Sequence, residues 1–106
     1  MVMFLHVIDA KYIEKYRVKV LFNDGREGVA DLSEALTGAV FEPLRDESEF
    51  SLLRVDEELE TIVWSNGADL APEYIYYQAF KGDPDLQEQF KVWGYLASDF
   101  KVSNSI

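Results

Sequence analysis

Few residues of this chain have side chains that could do chemistry, and their spacing limits what that chemistry could be. His6 is the one histidine, set inside the apolar run MFLHVI of residues 3–8. The chain has no cysteine, which excludes thiolate metal ligands and disulfides. Without a second histidine the usual zinc ligands are missing, so His6 reads as a satisfied, partly buried histidine rather than a ligand or base. Asp9-Ala10-Lys11 has the spacing of half a nuclease carboxylate–lysine arrangement, but such a triplet arises by chance in most proteins. Asp56, Glu57, Glu58 and Glu60 could offer oxygens to a hard cation such as calcium. Their spacing does not follow an EF-hand loop, and a solvated β-turn accounts for them. Paired carboxylates can work as acid and base, yet nothing in the sequence pushes one of these into an apolar pocket. Ser33, Ser48, Ser51, Ser65 and Ser98 have no local base and no G-x-S-x-G elbow. Gly25 and Gly28 have no lysine–hydroxyl pair after them, so no phosphate loop is present. No catalytic, cofactor-binding or metal-binding residue is assigned.

The densest local signal is TIVWSNGADLAPEYIYY, residues 61–77. A β-branched run ends at Trp64, Asn66-Gly67 breaks it, and a helix begins behind Asp69. Asp69 is the expected N-cap, because its carboxylate can accept from free N–H groups. Pro72 falls in the first turn, where its missing N–H does no harm, and Glu73 sits near the positive end of the helix dipole. The segment therefore reads as a structural corner, with Asn66-Gly67 in a turn of positive φ. Among the tyrosines that follow, Leu70, Tyr74 and Tyr77 share one helix face and are expected to pack on the sheet. Tyr76 is expected at the surface as a contact residue.

The elements that position these residues follow from hydrophobic period. Both parities of residues 3–8 are apolar, which suits an internal strand covered on two faces; residues 10–13 are also extended. Residues 16–22 alternate, with Tyr16, Val18, Val20 and Phe22 on one face and Arg17, Lys19 and Leu21 on the other. Asn23-Asp24-Gly25 supplies the hairpin, and residues 26–31 return as a strand. Short helical turns are expected over residues 32–37, stopped by Gly38, and over 41–46, with Pro43 in the first turn. Residues 50–55 and 60–64 read as two more strands. Asp83 and Pro84 mark a helix start, and Leu86, Phe90, Trp93, Ala97 and Phe100 recur at helical spacing. The fold class is thus α+β: a small antiparallel sheet of about five strands with short helices and a C-terminal amphipathic helix. The expected organisation is a compact α+β domain over 1–78 and a C-terminal helical extension over 79–106, packed on the same domain.

Composition bounds the function. The 106 residues suit one domain. Apolar residues make up 48%, enough for a real core. The absence of cysteine favours the cytoplasm. The start MVMFLHVIDA is a poor signal peptide, and no run approaches the roughly 20 apolar residues of a membrane span. Twenty acidic and ten basic side chains give a net charge of −10. Residues 32–70 hold ten of the acids and only two bases, Arg45 and Arg54. Phosphate-backbone affinity comes largely from Lys and Arg, so direct nucleic-acid binding is disfavoured. A basic protein partner is the natural complement, although an acidic surface also serves solubility alone.

Several ordered blocks resemble the bacterial "domain of unknown function 2442" family. They are Tyr16 to Phe22 with Asp24-Gly25, then Val29, Asp31-Leu32-Ser33, Phe41, Pro43-Leu44-Arg45-Asp46, Phe50 and Val55. The most specific is Thr61 to Trp64 with Asn66 to Glu73. Ser65 stands where similar sequences often carry proline. The resemblance covers about residues 3–77 and implies a small α+β domain with an antiparallel sheet. It implies no catalytic residues. Members are often encoded beside another small protein in an arrangement that looks like a toxin–antitoxin pair. Some continue into a helix-turn-helix domain; the 28 residues after Gln78 are too few and too acidic for one. The resulting expectation is a non-catalytic protein-interaction module, antitoxin-like, with a basic partner encoded by a neighbouring gene. Candidate contact residues are Tyr76, Phe90, Trp93, Glu57 and Glu58, and pairing of two copies through the C-terminal helix is a further possibility. The alternatives are an acidic mimic of nucleic acid that blocks a basic cleft, and an enzyme without a recognisable motif.

Overall fold

The computed structural model describes residues 4–96. Its centre is an antiparallel sheet of β1 (Val7–Glu14), β2 (Arg17–Phe22) and β3 (Glu27–Asp31), with β2 in the middle. The alternation of β2 holds as expected: Val18, Val20 and Phe22 are buried, whereas Arg17 and Lys19 face solvent. The β2–β3 turn uses Gly25 at φ 89°, a left-handed conformation that glycine adopts without strain. The Asp24 carboxylate accepts from the Arg26 N–H at 2.9 Å.

β1 departs from expectation. It is one bulged strand at the edge of this sheet, with register shifts between Val7 and Asp9 and between Tyr12 and Glu14. Each bulge inserts a residue and reverses the side-chain parity. Of the run over residues 3–8 expected to be covered on two faces, only Val7 and Ile8 join β1; Phe4 and Ile8 are exposed, as is Ile13 at the second break. On the outer face Lys11 lies opposite Lys19 and Asp9 opposite Leu21.

The link to the second sheet is a run of short turns. A 3-10 turn over Ser33–Ala35 is followed by α1 (Gly38–Phe41), a 3-10 turn over Glu42–Arg45, and α2 (Glu47–Phe50). Gly38 begins a turn rather than only ending one. The expected strand over 50–55 shrinks to β4 (Arg54–Asp56). Asp46 caps α2 by accepting from the Ser48 N–H at 3.0 Å. That local cap commits Phe50 to a helical turn that carries its ring into the core. β4 pairs with β5 (Thr61–Val63) as a separate two-stranded sheet. The α+β class holds, with five antiparallel strands divided three and two. The sheets meet where the Val7 N–H donates to the Glu60 carbonyl at 3.0 Å.

α3 (Pro72–Phe80) crosses the inner face of the three-stranded sheet and contacts β3. The Phe80 ring lies so close to Gly28 that an added Cβ would stand 2.6 Å from it. Asp83 then accepts from the Asp85 N–H and opens a 3-10 turn, Pro84–Leu86, which leads into α4 (Gln87–Trp93). α4 is shorter than its apolar stripe suggests. Gly94 adopts φ 89° and ends it, and the Tyr95 N–H returns to the Phe90 carbonyl at 2.9 Å. This is a left-handed glycine stop. Ala97 and Phe100, the last two positions of the stripe, lie outside the described residues.

Phe90 is 0% exposed and belongs to the same core as β2 and α3. Its ring meets Tyr77 edge-on at 5.1 Å. Phe90→Ala should therefore lower stability by about 3–5 kcal/mol in urea unfolding of the monomer. A change below about 1 kcal/mol would show that α4 does not contribute to the core.

Candidate functional site

His6 stands at the junction of the two sheets. Its Nδ1 lies 3.0 Å from a Glu60 carboxylate oxygen. Asn23 holds its backbone from both sides: the His6 N–H donates to Asn23 Oδ1 at 2.8 Å, and the Asn23 N–H donates to the His6 carbonyl at 3.0 Å. Glu60 itself sits at φ 60°. The imidazole thus joins a structural clasp. Among the described residues, no group of three or more His, Asp or Glu side chains is placed to hold a metal ion. Asp56 is occupied with its own turn, accepting from the Glu58 and Leu59 N–H groups at 2.8 and 2.9 Å. These bonds hold its carboxyl below the usual range. Glu57 and Glu58 are exposed beside it.

The Trp64–Glu73 segment is a corner, built by backbone pairing. Beyond β5 the chain doubles back, so that Val63 pairs with Asp69 and the Trp64 N–H donates to Ala68. Gly67 takes the positive φ of 93°. The Asn66 side chain accepts from the Ala68 N–H at 3.1 Å and donates to the Val40 carbonyl at 2.9 Å. Trp64 is buried, and its indole N–H donates to the Phe50 carbonyl at 2.9 Å. Asp69 does not cap the helix. The N-cap is Ala71, without a side-chain bond, and Pro72 is the first helical residue with Glu73 after it. The bridge to Val63 keeps Asp69 in extended pairing, two residues before the N-cap.

The tyrosines are also rearranged. Tyr76, expected at the surface, is 5% exposed, whereas Tyr74 and Tyr77 are half-buried. The face of α3 that carries Ile75 and Tyr76 is the one packed into the core. The Tyr76 ring meets Phe22 edge-on at 4.9 Å and Trp93 at 5.9 Å. Its hydroxyl donates to the Asp24 carboxylate at 2.7 Å. Burial, then the bond to Asp24, push this hydroxyl well above its ordinary value. Arg26 pairs with Asp83 at 3.2 Å beside it, tying the β2–β3 turn to the start of α4. Of the five candidate contact residues, Tyr76 and Phe90 are therefore buried within the domain. Trp93 is half-buried, and Glu57 and Glu58 are exposed on the β4–β5 turn.

Trp93 opens onto a groove of about 520 Å³ between the chain entering β1 and α4. Leu5, Tyr76, Leu86 and Val92 complete its apolar lining, and Asp85, Glu88 and Gln89 stand at its polar margin. Val92 is 74% exposed, and Phe4, next to Leu5 in the chain, is 76% exposed. Little in the sequence points to this groove, since Leu5 and α4 are far apart in the chain and Val92 lies off the helical stripe.

The sequence profile of the family described as "Protein of unknown function (DUF2442)" matches residues 7–81. The chain belongs to this family. The matched span of this DUF2442 domain runs from β1 to just past α3, so Leu5 and all of α4 lie outside it. No curated protein matches the chain. A presumed DNA-binding protein, NE0471 from Nitrosomonas europaea ATCC 19718, has a similar crystal structure with a TM-score of 0.65 at 16% identity. The likeness covers 74% of this chain and 51% of NE0471, so this chain spans about half the length of that protein. At that identity the likeness establishes the fold. Among the described residues, no helix is long and apolar enough to cross a membrane.

Two expectations test the corner and the tyrosine. Asn66→Ala removes two hydrogen bonds and should cost about 1–2 kcal/mol. Asp69→Ala should change stability by less than about 0.5 kcal/mol; the reverse order in urea melts would restore Asp69 as the cap. For Tyr76, the folded state holds the phenolic proton more tightly than the unfolded chain. That stability is complete below about pH 10 and falls as pH rises beyond it. Tyr76→Phe should thus be less stable at neutral pH and decline less steeply between about pH 9 and 11. Some slope should remain, because burial also raises the Tyr74 and Tyr95 hydroxyls.

Proposed function

We propose that this domain is a non-catalytic protein-interaction module of the cytoplasm that engages a basic protein partner, as an antitoxin-like neutraliser would. The observation that carries this reading is the division of labour among its charged groups. The net charge is −10, and some of the carboxylates serve turns, caps and clasps within the fold: Asp24 with Tyr76, Asp46 with Ser48, Glu60 with His6. Exposed carboxylates such as Glu57, Glu58, Asp85 and Glu88 are left to face a partner. A surface of one sign speeds encounter with the opposite sign and discourages others.

The same surface bears on DNA. A domain of this charge meets a phosphate backbone with repulsion. In our reading, any DNA contact by a longer protein such as NE0471 falls to the half that this chain does not match. A nucleic-acid mimic requires carboxylates spaced like phosphates. Asp46, Glu47, Asp56 and Glu60 are each engaged by neighbouring groups, which supports the broader interaction reading over mimicry.

Co-expression with the product of the adjacent gene should give a stoichiometric complex that weakens with added salt, and should relieve any growth defect which that product causes alone. A duplex DNA of about 20 base pairs should show no change in fluorescence anisotropy with this protein near 50 mM salt. Absence of both complex and rescue, or tight DNA binding, would overturn the proposal.

A further inference from the structure

We infer that the groove between Leu5 and α4 receives a basic amphipathic helix of a partner protein. This rests on the protein-interaction reading above and gives it a surface. The floor is apolar, formed by Leu5, Tyr76, Leu86, Val92 and Trp93. Its volume of about 520 Å³ lies in the range of real binding pockets, roughly 300–1,000 Å³. Val92 in the lining is 74% exposed, and exposed apolar surface grouped in a groove marks contacts.

Three observations select the occupant. The first is charge. Asp85 and Glu88, one helical turn apart, stand exposed at the margin of the groove on a chain of net charge −10. Lysines or arginines flanking an apolar stripe would meet them, and an acidic or neutral partner would not. The second is the wall, which is made of side chains from a helix and an incoming chain, not of a strand edge. A partner strand would find no ladder there for its own N–H and C=O groups. A helix brings its backbone already paired and inserts residues at i, i+3, i+4 and i+7. The third is self-repulsion: a second copy would bring the same carboxylates and the same net charge to the face, which disfavours pairing of like with like. Leu5 and α4 lie outside the span that matches the family profile, so the groove would set the partner of this chain in particular.

The test uses a synthetic helical peptide of about four turns, with leucines along one stripe, lysines elsewhere and no aromatic residue. Trp93 lines the groove and Trp64 is buried, so tryptophan fluorescence of the intact protein reports occupancy. Saturable binding is expected near 150 mM salt. Val92→Asp should weaken it at least tenfold, as should Asp85→Lys combined with Glu88→Lys. Glu42→Lys combined with Glu49→Lys, exposed on the turns at the Phe50 end and outside the groove lining, should change it less than twofold. No binding overturns the inference, as does equal loss in this last double variant, which would signify attraction by net charge alone. Equal binding of a peptide with glutamates in place of the lysines, or with the leucines scrambled, also overturns it. A doubled mass in light scattering without peptide assigns the groove to a second copy. Displacement of the probe by the peptide ASDFKVSNSI assigns it to residues 97–106 of this chain. If the adjacent gene product binds and Val92→Asp leaves that complex intact, the groove is removed while the interaction module stands.

Discussion

A three-stranded sheet with one apolar face must be covered on that face, and this requirement organises the molecule. Val18, Val20 and Phe22 of β2 all point to one side. Three strands are too few to close on themselves, so the cover has to come from elsewhere in the chain. It comes in two aromatic groups. At one end Phe50 packs against Tyr12, Tyr16 and Trp64, with ring centroids 5.2–6.0 Å apart. At the other, Tyr76 packs against Phe22, Phe80 and Trp93 at 4.9, 4.8 and 5.9 Å. Large rings suit this task, because each removes much area from water with few rotatable bonds. The second sheet and α3 are the means of delivering them.

The polar bonds make sense as consequences of that cover. A buried indole or phenol needs a partner for its polar atom. Trp64 finds the Phe50 carbonyl, which welds the corner to α2, and Tyr76 finds Asp24, which welds α3 to the β2–β3 turn. Each bond therefore joins two pieces of chain that the aromatic packing already brings together. The most specific sequence block of the family resemblance, from Thr61 to Glu73, is explained by this geometry. Gly67 supplies the φ, Asn66 closes the turn, Trp64 anchors it, and Pro72 starts the covering helix.

What could be seen in the sequence was what depends on neighbours in the chain. The alternation of β2, the Asp24-Gly25 turn, Pro72 at the start of α3 and the Asp83 cap are all local, and all are present. What could not be seen depends on where the chain goes next. Tyr76 seemed exposed because helical spacing gives the relative faces of α3 but not its rotation about its axis. The core takes Ile75 and Tyr76, and the bridge from Val63 to Asp69 removes Asp69 from the cap. Apolar residues on both parities of residues 3–8 suit two-sided burial, but the strand starts only at Val7, and its bulges change parity without leaving a mark in composition. The strand expected over 50–55 lost to the Asp46 cap, a case of local hydrogen bonding outweighing β-propensity. Gly94 was a readable stop within the last stripe, overshadowed by Trp93, Ala97 and Phe100 on either side.

The distribution of apolar surface bears most directly on function. α4 meets the core through Phe90 on one side and leaves Val92 in water on the other. A helix whose sole role was to complete the cover would gain solubility from a polar residue at position 92, with no loss to the core. The chain instead places Val92 beside Trp93 and Leu5, with acids at the margin, and holds the helix to about two turns beyond the Pro84 turn by means of Gly94. Such a short helix has little stability of its own; it is held by Phe90 and by the Arg26–Asp83 pair. Its outer face is thus fixed in orientation by bonds that belong to the fold. A partner that meets it encounters a surface already ordered, and the entropy of arranging that surface does not count against binding.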